Sequence, residues 1–199
     1  MVTIEDFERI REYVLRFVEF TPDDLELFRG MLYKKEIPKG KYFLEAGDIC
    51  RHVAFINKGH FRIFSIVGDE DITYNFAFDG NFITDYSSFV TQQPSTETHQ
   101  ALDDAEILML EYHAMQEGYK VRPIFERFGR LIAEFIIVGI VQRNRSLLFL
   151  TPEERYLDLM KARPKVIANI PQQYIAAYLG IQPESLSRIR KRLADSKRL

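Results

Sequence analysis

A single cysteine, Cys50, in a chain of 199 residues excludes an internal disulfide and any self-contained four-cysteine zinc or iron–sulfur centre. Histidine is almost as scarce. His52, His60, His99 and His113 show no HxxxH or HExxH spacing, so each is expected as a surface or strand residue, and no metal is assigned. No apolar run approaches the ~20 residues of a membrane span, and the opening MVTIEDFERIREY is charged rather than signal-like. The expectation is a cytoplasmic protein with no membrane partner.

An excess of charge is missing too, since the formal net charge is only -2, but its distribution is uneven. Residues 151–199 hold ten Lys or Arg against five acids, a balance of +5 that leaves -7 on residues 1–150. A basic end on an acidic body suits a polyanion bound at one end only. With 46% hydrophobic residues the chain has enough apolar material for proper cores in one to two domains.

The basic end contains the most informative stretch, IPQQYIAAYLGIQPESLSRIRKRL, residues 170–193. Ile175, Ala176, Leu179, Gly180, Ile181, Leu186 and Ile189 form an apolar lattice with helical spacing, a break at Gly180, and helical spacing again. This spacing predicts a helix-turn-helix. Gly180 can take the positive φ of the turn, Ala176 is small enough for a close crossing, and Pro183 can open the second helix without losing a hydrogen bond.

Outside that lattice lie Gln182, Glu184, Ser185, Ser187, Arg188, Lys191 and Arg192 on the second helix, with Arg190 beside them and Gln172 and Gln173 opening the first. A helix so decorated fits the DNA major groove, where Arg pairs with guanine, Glu accepts from cytosine, and Ser, Lys and Arg hold phosphates. The plainer alternative is two packed helices with a solvated charged face, Glu184 and Arg188 making an ordinary i,i+4 pair.

Upstream, Ile4, Phe7, Ile10, Tyr13, Val14 and Phe17 predict an amphipathic helix over residues 4–19, and Thr21-Pro22 with Asp23 and Asp24 predicts a second running to about Leu32. From Lys34 to Glu111, short β-branched and aromatic runs are punctuated by Gly40, Gly47, Gly59, Gly68 and Gly80, which predicts an antiparallel sandwich or roll. Inside it, Phe82, Ile83, Tyr86 and Phe89 have helical spacing, among hydroxyls and a carboxylate. Phe82, Ile83, Thr84, Asp85, Tyr86, Ser87, Ser95, Thr96 and Thr98 could line a polar ligand pocket, or form a surface loop with one short helix.

Residues 113–119 read as a short helix and 122–150 as a long one that is too apolar for a single buried face. Phe128, Leu131, Ile132, Phe135, Ile136 and Gly139 are the candidate contacts with a second copy of the chain. A fully buried central helix in a monomer is the other reading. Thr151-Pro152-Glu153-Glu154 then caps the next helix.

An α+β chain ordered as antiparallel β-roll, long dimerisation helix and C-terminal helix-turn-helix resembles the catabolite activator and fumarate-nitrate regulator (Crp/Fnr) family of bacterial transcription factors. The motifs behind the resemblance are TPEERYLDLM, the stretch from Ile170 to Leu193, and the glycine-punctuated roll. It implies a cyclic-nucleotide-binding-like sensor at 1–121, a dimerisation helix at 122–150 and a DNA-binding domain at 151–199. The implied partners are operator DNA, a second copy of the chain and RNA polymerase, with base readout by Glu184 and Arg188. The family's basic residue before that Glu is replaced by Pro183, so the operator should differ.

The resemblance also implies a cyclic nucleotide or other small effector in the roll, held by a cassette like F-G-E-L-(A/S) followed by R-(S/T)-A. Here Asp85 stands where the Glu belongs, and only Ser95, Thr96 and Glu97 where the Arg belongs. A buried phosphate without its guanidinium loses a charge-assisted pair. The expectation is therefore the fold without tight cyclic AMP binding, holding either another small ligand or none. Rival readings are a small-molecule module whose helix-turn-helix serves only packing, and a cupin-like enzyme, which would need the clustered His and carboxylate ligands that are missing.

Overall fold

The computed structural model describes residues 2–196. The described residues form nine helices and eight strands: α1 (Ile4–Val14), α2 (Pro22–Gly30), β1 (Leu32–Ile37), β2 (Tyr42–Leu44), β3 (His52–Lys58), β4 (His60–Val67), β5 (Glu70–Phe78), β6 (Phe82–Ile83), α3 (Tyr86–Thr91), β7 (Thr98–Ala101), β8 (Ala105–Glu111), α4 (Tyr112–Val121), α5 (Pro123–Phe149), α6 (Pro152–Ala162), α7 (Pro164–Asn169), α8 (Gln172–Leu179) and α9 (Pro183–Ser196). Two four-stranded sheets, ordered β1-β8-β3-β6 and β2-β7-β4-β5, make the antiparallel jelly-roll. The chain divides into two compact units. One holds Met1–Ile63 with Phe76–Phe135, the other Phe64–Asn75 with the chain from Ile136 onward.

In the first unit, β8 is the central strand. It pairs with β1 from Leu32↔Leu110 to Ile37↔Ala105 and with β3 from His52↔Glu111 to Lys58↔Glu106. All five glycines read as strand punctuation have positive φ, so they sit in turns that a side chain would strain. At Gly59, whose φ is +95°, an added Cβ would also lie 2.8 Å from the Ala105 Cβ, so the β3–β4 turn admits glycine alone. The core joins Phe7, Ile10, Val14, Phe20 and Phe28 to Phe55 and Leu108, with Phe125 of α5 sealing one side.

Three sequence expectations are corrected. The first helix ends at Val14 rather than near residue 19, because Phe17, Val18 and Phe20 all turn toward the core, which a continuing helix would point in divergent directions. The second ends at Gly30, and Leu32 already pairs in β1. Phe82 and Ile83 are strand, opposite Phe55 and Ala54 of β3, and only Tyr86 and Phe89 of that quartet are helical. The helices expected at 113–119 and 122–150 are α4 and α5, with ends moved by one or two residues.

Three helices begin with the same device. Thr3, Thr21 and Thr151 each accept from the backbone amide three residues on, while Asp6, Asp24 and Glu154 return to the threonine amide. Such reciprocal boxes satisfy amides that a helix start otherwise leaves unpaired.

Candidate nucleic-acid interface

In the second unit, α8 and α9 are joined through Gly180, whose φ of +68° ends α8 and whose amide returns to Ala176 and Ala177. Ile175, Ala176, Leu179, Leu186 and Ile189 are buried, as the lattice requires, and Ile181 is half-buried. The amides of Ser185 and Leu186 return to the Gln182 carbonyl, so Pro183 lies in the first turn, where its missing amide costs nothing. The result is a helix-turn-helix in which α9 turns its apolar edge inward.

Its other edge is open. Gln182, Glu184, Ser187, Arg188, Lys191 and Arg192 are exposed, Ser185 and Arg190 are half-buried, and Gln172 and Gln173 are exposed at the start of α8. Arg188 donates to Ser185 Oγ at 3.0 Å, one turn back, which holds the guanidinium along the helix surface. Arg192 is paired with Glu153 of α6. A convex helix with basic and amide side chains outward can enter a groove and meet both base edges and phosphates.

The turn is braced by two arginines that sequence reasoning passed over. Arg143 of α5 donates to the Tyr178 carbonyl and lies over the Tyr178 ring, 3.9 Å from its centroid. Arg155 of α6 donates to the Leu179 carbonyl at 3.0 Å and to the Leu150 carbonyl at 2.7 Å. Burial pushes the Arg143 guanidinium below its ordinary value; the Tyr178 hydroxyl opposes that shift, and Arg155 and Arg163 add to it. The Tyr178 and Leu179 carbonyls lie 35 and 24 residues from the arginines that reach them, beyond any local pattern.

In the β-roll the expected ligand residues divide into an inner and an outer set. Asp85 is 5% exposed and caps α3: one carboxylate oxygen accepts from the Ser88 amide at 3.1 Å, the other from Ser95 Oγ at 2.7 Å. The Ser95 backbone exchanges hydrogen bonds with Gly47 and Asp48, and Thr98 Oγ1 accepts from Ala46. Thr84 donates to the His52 carbonyl at 3.0 Å. Ile83 is buried and Phe82 half-buried in the core, its ring 5.3 Å from those of Tyr13 and Phe55. Tyr86 and Ser87, on the outer side of α3, face solvent, as does Thr96 in the loop before β7, while Ser88 and Phe89 of the same turn point inward.

Two polar groups near this cassette were not singled out as site residues. His99, read as a surface or strand residue, is a fully buried strand residue; its Nε2 lies 2.9 Å from Glu97 Oε2, its ring stacks on Phe43, and its Nδ1 has no hydrogen-bond partner among the described residues. The alternation Thr98-His99-Gln100 hid this, because it reads equally well with either face inward. Phe43 also lines a surface cleft of ≈ 490 Å3 between β2 and the start of β3. Among the described residues no group of three or more His, Cys, Asp or Glu could hold a metal ion, and no helix is long and apolar enough to cross a membrane.

Along α5 the apolar residues face two ways. Phe128, Leu131 and Ile132 pack, half-buried, on the core of the first unit, and Ile136 is half-buried as well. Phe135, Ile137, Val138, Ile140 and Val141 are each at least half exposed, Gly139 lies open between them, and Leu148 and Phe149 are about three-quarters exposed.

Residues 34–120 match the family model of the cyclic nucleotide-binding domain. No curated protein matches the chain. Among solved structures, the catabolite activator protein of Thermus thermophilus is similar at 20% identity, covering 91% of this chain and 87% of its own, with a TM-score of 0.57. FixK2 from Bradyrhizobium japonicum is similar at 13% identity over 83% of this chain and 86% of its own, TM-score 0.74. A protein of Eubacterium rectale assigned as a transcriptional regulator of the Crp/Fnr family is similar at 13% identity over 89% of this chain and 85% of its own, TM-score 0.67.

Proposed function

From a cyclic nucleotide-binding domain at residues 34–120, held in the fold of the Crp/Fnr regulators, we propose that this chain is a homodimeric, sequence-specific DNA-binding transcription regulator and not an enzyme. The observation that carries the reading is α9, which buries Leu186 and Ile189 and leaves Glu184, Ser187, Arg188 and Lys191 outward on one helix. Glu184 and Arg188 read bases, while Arg190, Lys191, Arg192 and Ser185 hold phosphates, with Gln172 and Gln173 steadying the start of α8 on the backbone. Functionally, residues 1–121 sense, 122–150 dimerise and 151–199 bind DNA. RNA polymerase is the partner at the promoter.

The effector of the roll is a small molecule other than cyclic AMP. Ser95 stands where the resemblance places an arginine, and both oxygens of Asp85 are already engaged by Ser88 and Ser95. A cyclic phosphate entering there would lose its water without gaining a cation. Regulation is a population shift, in which the effector binds more tightly to the arrangement of the two α5 helices that sets both recognition helices in successive grooves.

The test is operator selection from a random DNA pool, followed by binding of two variants to the selected site and its single-base changes. Arg188→Ala should relax discrimination by ~1 to 3 kcal/mol at one base position of each half-site, whereas Lys191→Ala should weaken all sequences alike and reduce the salt slope of the dimer by about two, one contact per protomer. Identical behaviour of the two variants on every sequence would remove Arg188 from base readout. Salt-independent binding, or none, would favour a small-molecule module whose helix-turn-helix only packs.

A further inference from the structure

We infer that Arg143 is a positioning residue: it ties the C-terminal half of the long helix to the turn of the helix-turn-helix, so that the orientation of α9 follows α5. This rests on the DNA-reading assignment of α9 and adds what aims it. A helix leaves its last carbonyls without intrahelical donors, and such carbonyls take the best donor within reach. At the end of α8 the local donors are already committed: the Gly180 amide returns to Ala176 and Ala177, and the Ile181 amide to Ala176. The carbonyls of Tyr178 and Leu179 instead accept from Arg143 and Arg155.

These two arginines come from either side of the α5–α6 junction, and Arg155 also holds the Leu150 carbonyl where α5 ends. The junction and the turn therefore share one hydrogen-bonded bracket. Arginine suits the place at 143 because its planar guanidinium can lie on the Tyr178 ring and donate in its own plane to the carbonyl beside it. Lysine could supply the charge but not that geometry. Leu147, one turn along α5, lies 3.9 Å from where a side chain on Gly180 would sit, which places the helix directly under the turn.

The test compares the wild-type chain with Arg143→Met, which keeps the stem, and Arg143→Lys, which keeps the charge. Amide hydrogen exchange of residues 178–186 is measured without DNA, and affinity and salt slope on the selected operator. Losing a charge-assisted hydrogen bond at the turn should raise exchange there by roughly tenfold or more in Arg143→Met, with the strands of the roll unchanged and only partial recovery in Arg143→Lys. Operator affinity should fall alike for matched and mismatched sites at an unchanged salt slope, since Arg143 touches no phosphate. Unchanged exchange with unchanged affinity would overturn the inference. So would a salt slope reduced by about two, one contact per protomer, which would make Arg143 a phosphate contact. If the wild-type chain binds no DNA, the proposed function fails while exchange still decides whether the bracket exists. If Arg143→Met does not fold, Tyr178→Leu, which removes the ring and keeps the carbonyl, decides on the same exchange readout: a raised rate supports the bracket and an unchanged one overturns it.

Discussion

Asp85 has both carboxylate oxygens committed within its own loop. Its side chain caps α3 and accepts from Ser95 across the loop, so it holds the cassette closed on itself. Calorimetric titration with cyclic AMP and cyclic GMP should therefore show no binding at micromolar concentrations. Heat and a raised melting temperature would mean that the hydroxyls stand in for the missing guanidinium. Asp24 makes a second prediction at this scale. The Thr21 hydroxyl first, then the Thr21 amide and the nearby Arg122, hold its carboxyl below the ordinary value of 3.8, against the effect of burial. A depressed carboxyl stabilises the fold above its unfolded value and loses that contribution as the pH falls through the folded one. Stability should thus be level in this respect from neutral pH to about 5 and decline below about 4, with Asp24→Asn differing most from wild type at neutral pH and least near pH 2. A gap between the two chains that widened toward acid would contradict this assignment. Thr21→Ala, which removes the cap itself, should cost about 1 kcal/mol in denaturant unfolding.

At the scale of elements, α5 is the telling case. Its composition alone said that it is apolar on more than one face, and that was legible. Which residue faces which way was not, because Phe128, Leu131 and Ile132 are claimed by a core assembled from Phe20, Phe28 and Phe82, far away in sequence. The outward face suited to a second copy is therefore better represented by Phe135, Val138, Val141 and Leu148. Val138→Glu sets a charge in the middle of it and should convert a dimer to a folded monomer in sedimentation equilibrium, with little change in the unfolding of the roll. A wild-type chain that sediments as a monomer would dispose of this face as an interface. The same division governs the rest of the reading. Gly180 and the lattice from Ile175 to Ile189 are local and were readable, as were the glycine turns. The two-residue strand β6 was not, since it is strand only because Ala54 and Phe55 lie opposite. Arg143 and Arg155 were missed because their partners are set by tertiary packing rather than spacing; the His99–Glu97 pair, two residues apart, was missed because the strand pattern does not say which face is buried.

The whole molecule joins an acidic body to a basic end, and under the proposed function that asymmetry makes its own prediction. Phosphate binding releases counterions, so log K should fall with log salt at about 0.9 per phosphate neutralised. Arg190, Lys191 and Arg192 give three candidate cations per protomer, and Arg192 must exchange Glu153 for a phosphate to count. A dimer on two half-sites one helical turn, ~34 Å, apart would then show a slope near -5 by fluorescence anisotropy. The same titration tests dimerisation and DNA reading together. Val138→Glu leaves α9 untouched, so its monomer should bind a single half-site with about half that slope, and lengthening the spacing between half-sites by half a turn should weaken only the wild type. If the variant kept the full slope, the two recognition helices would not act as a pair. If the wild type showed almost no slope, the basic end would be a solvated surface and α8–α9 a packing motif.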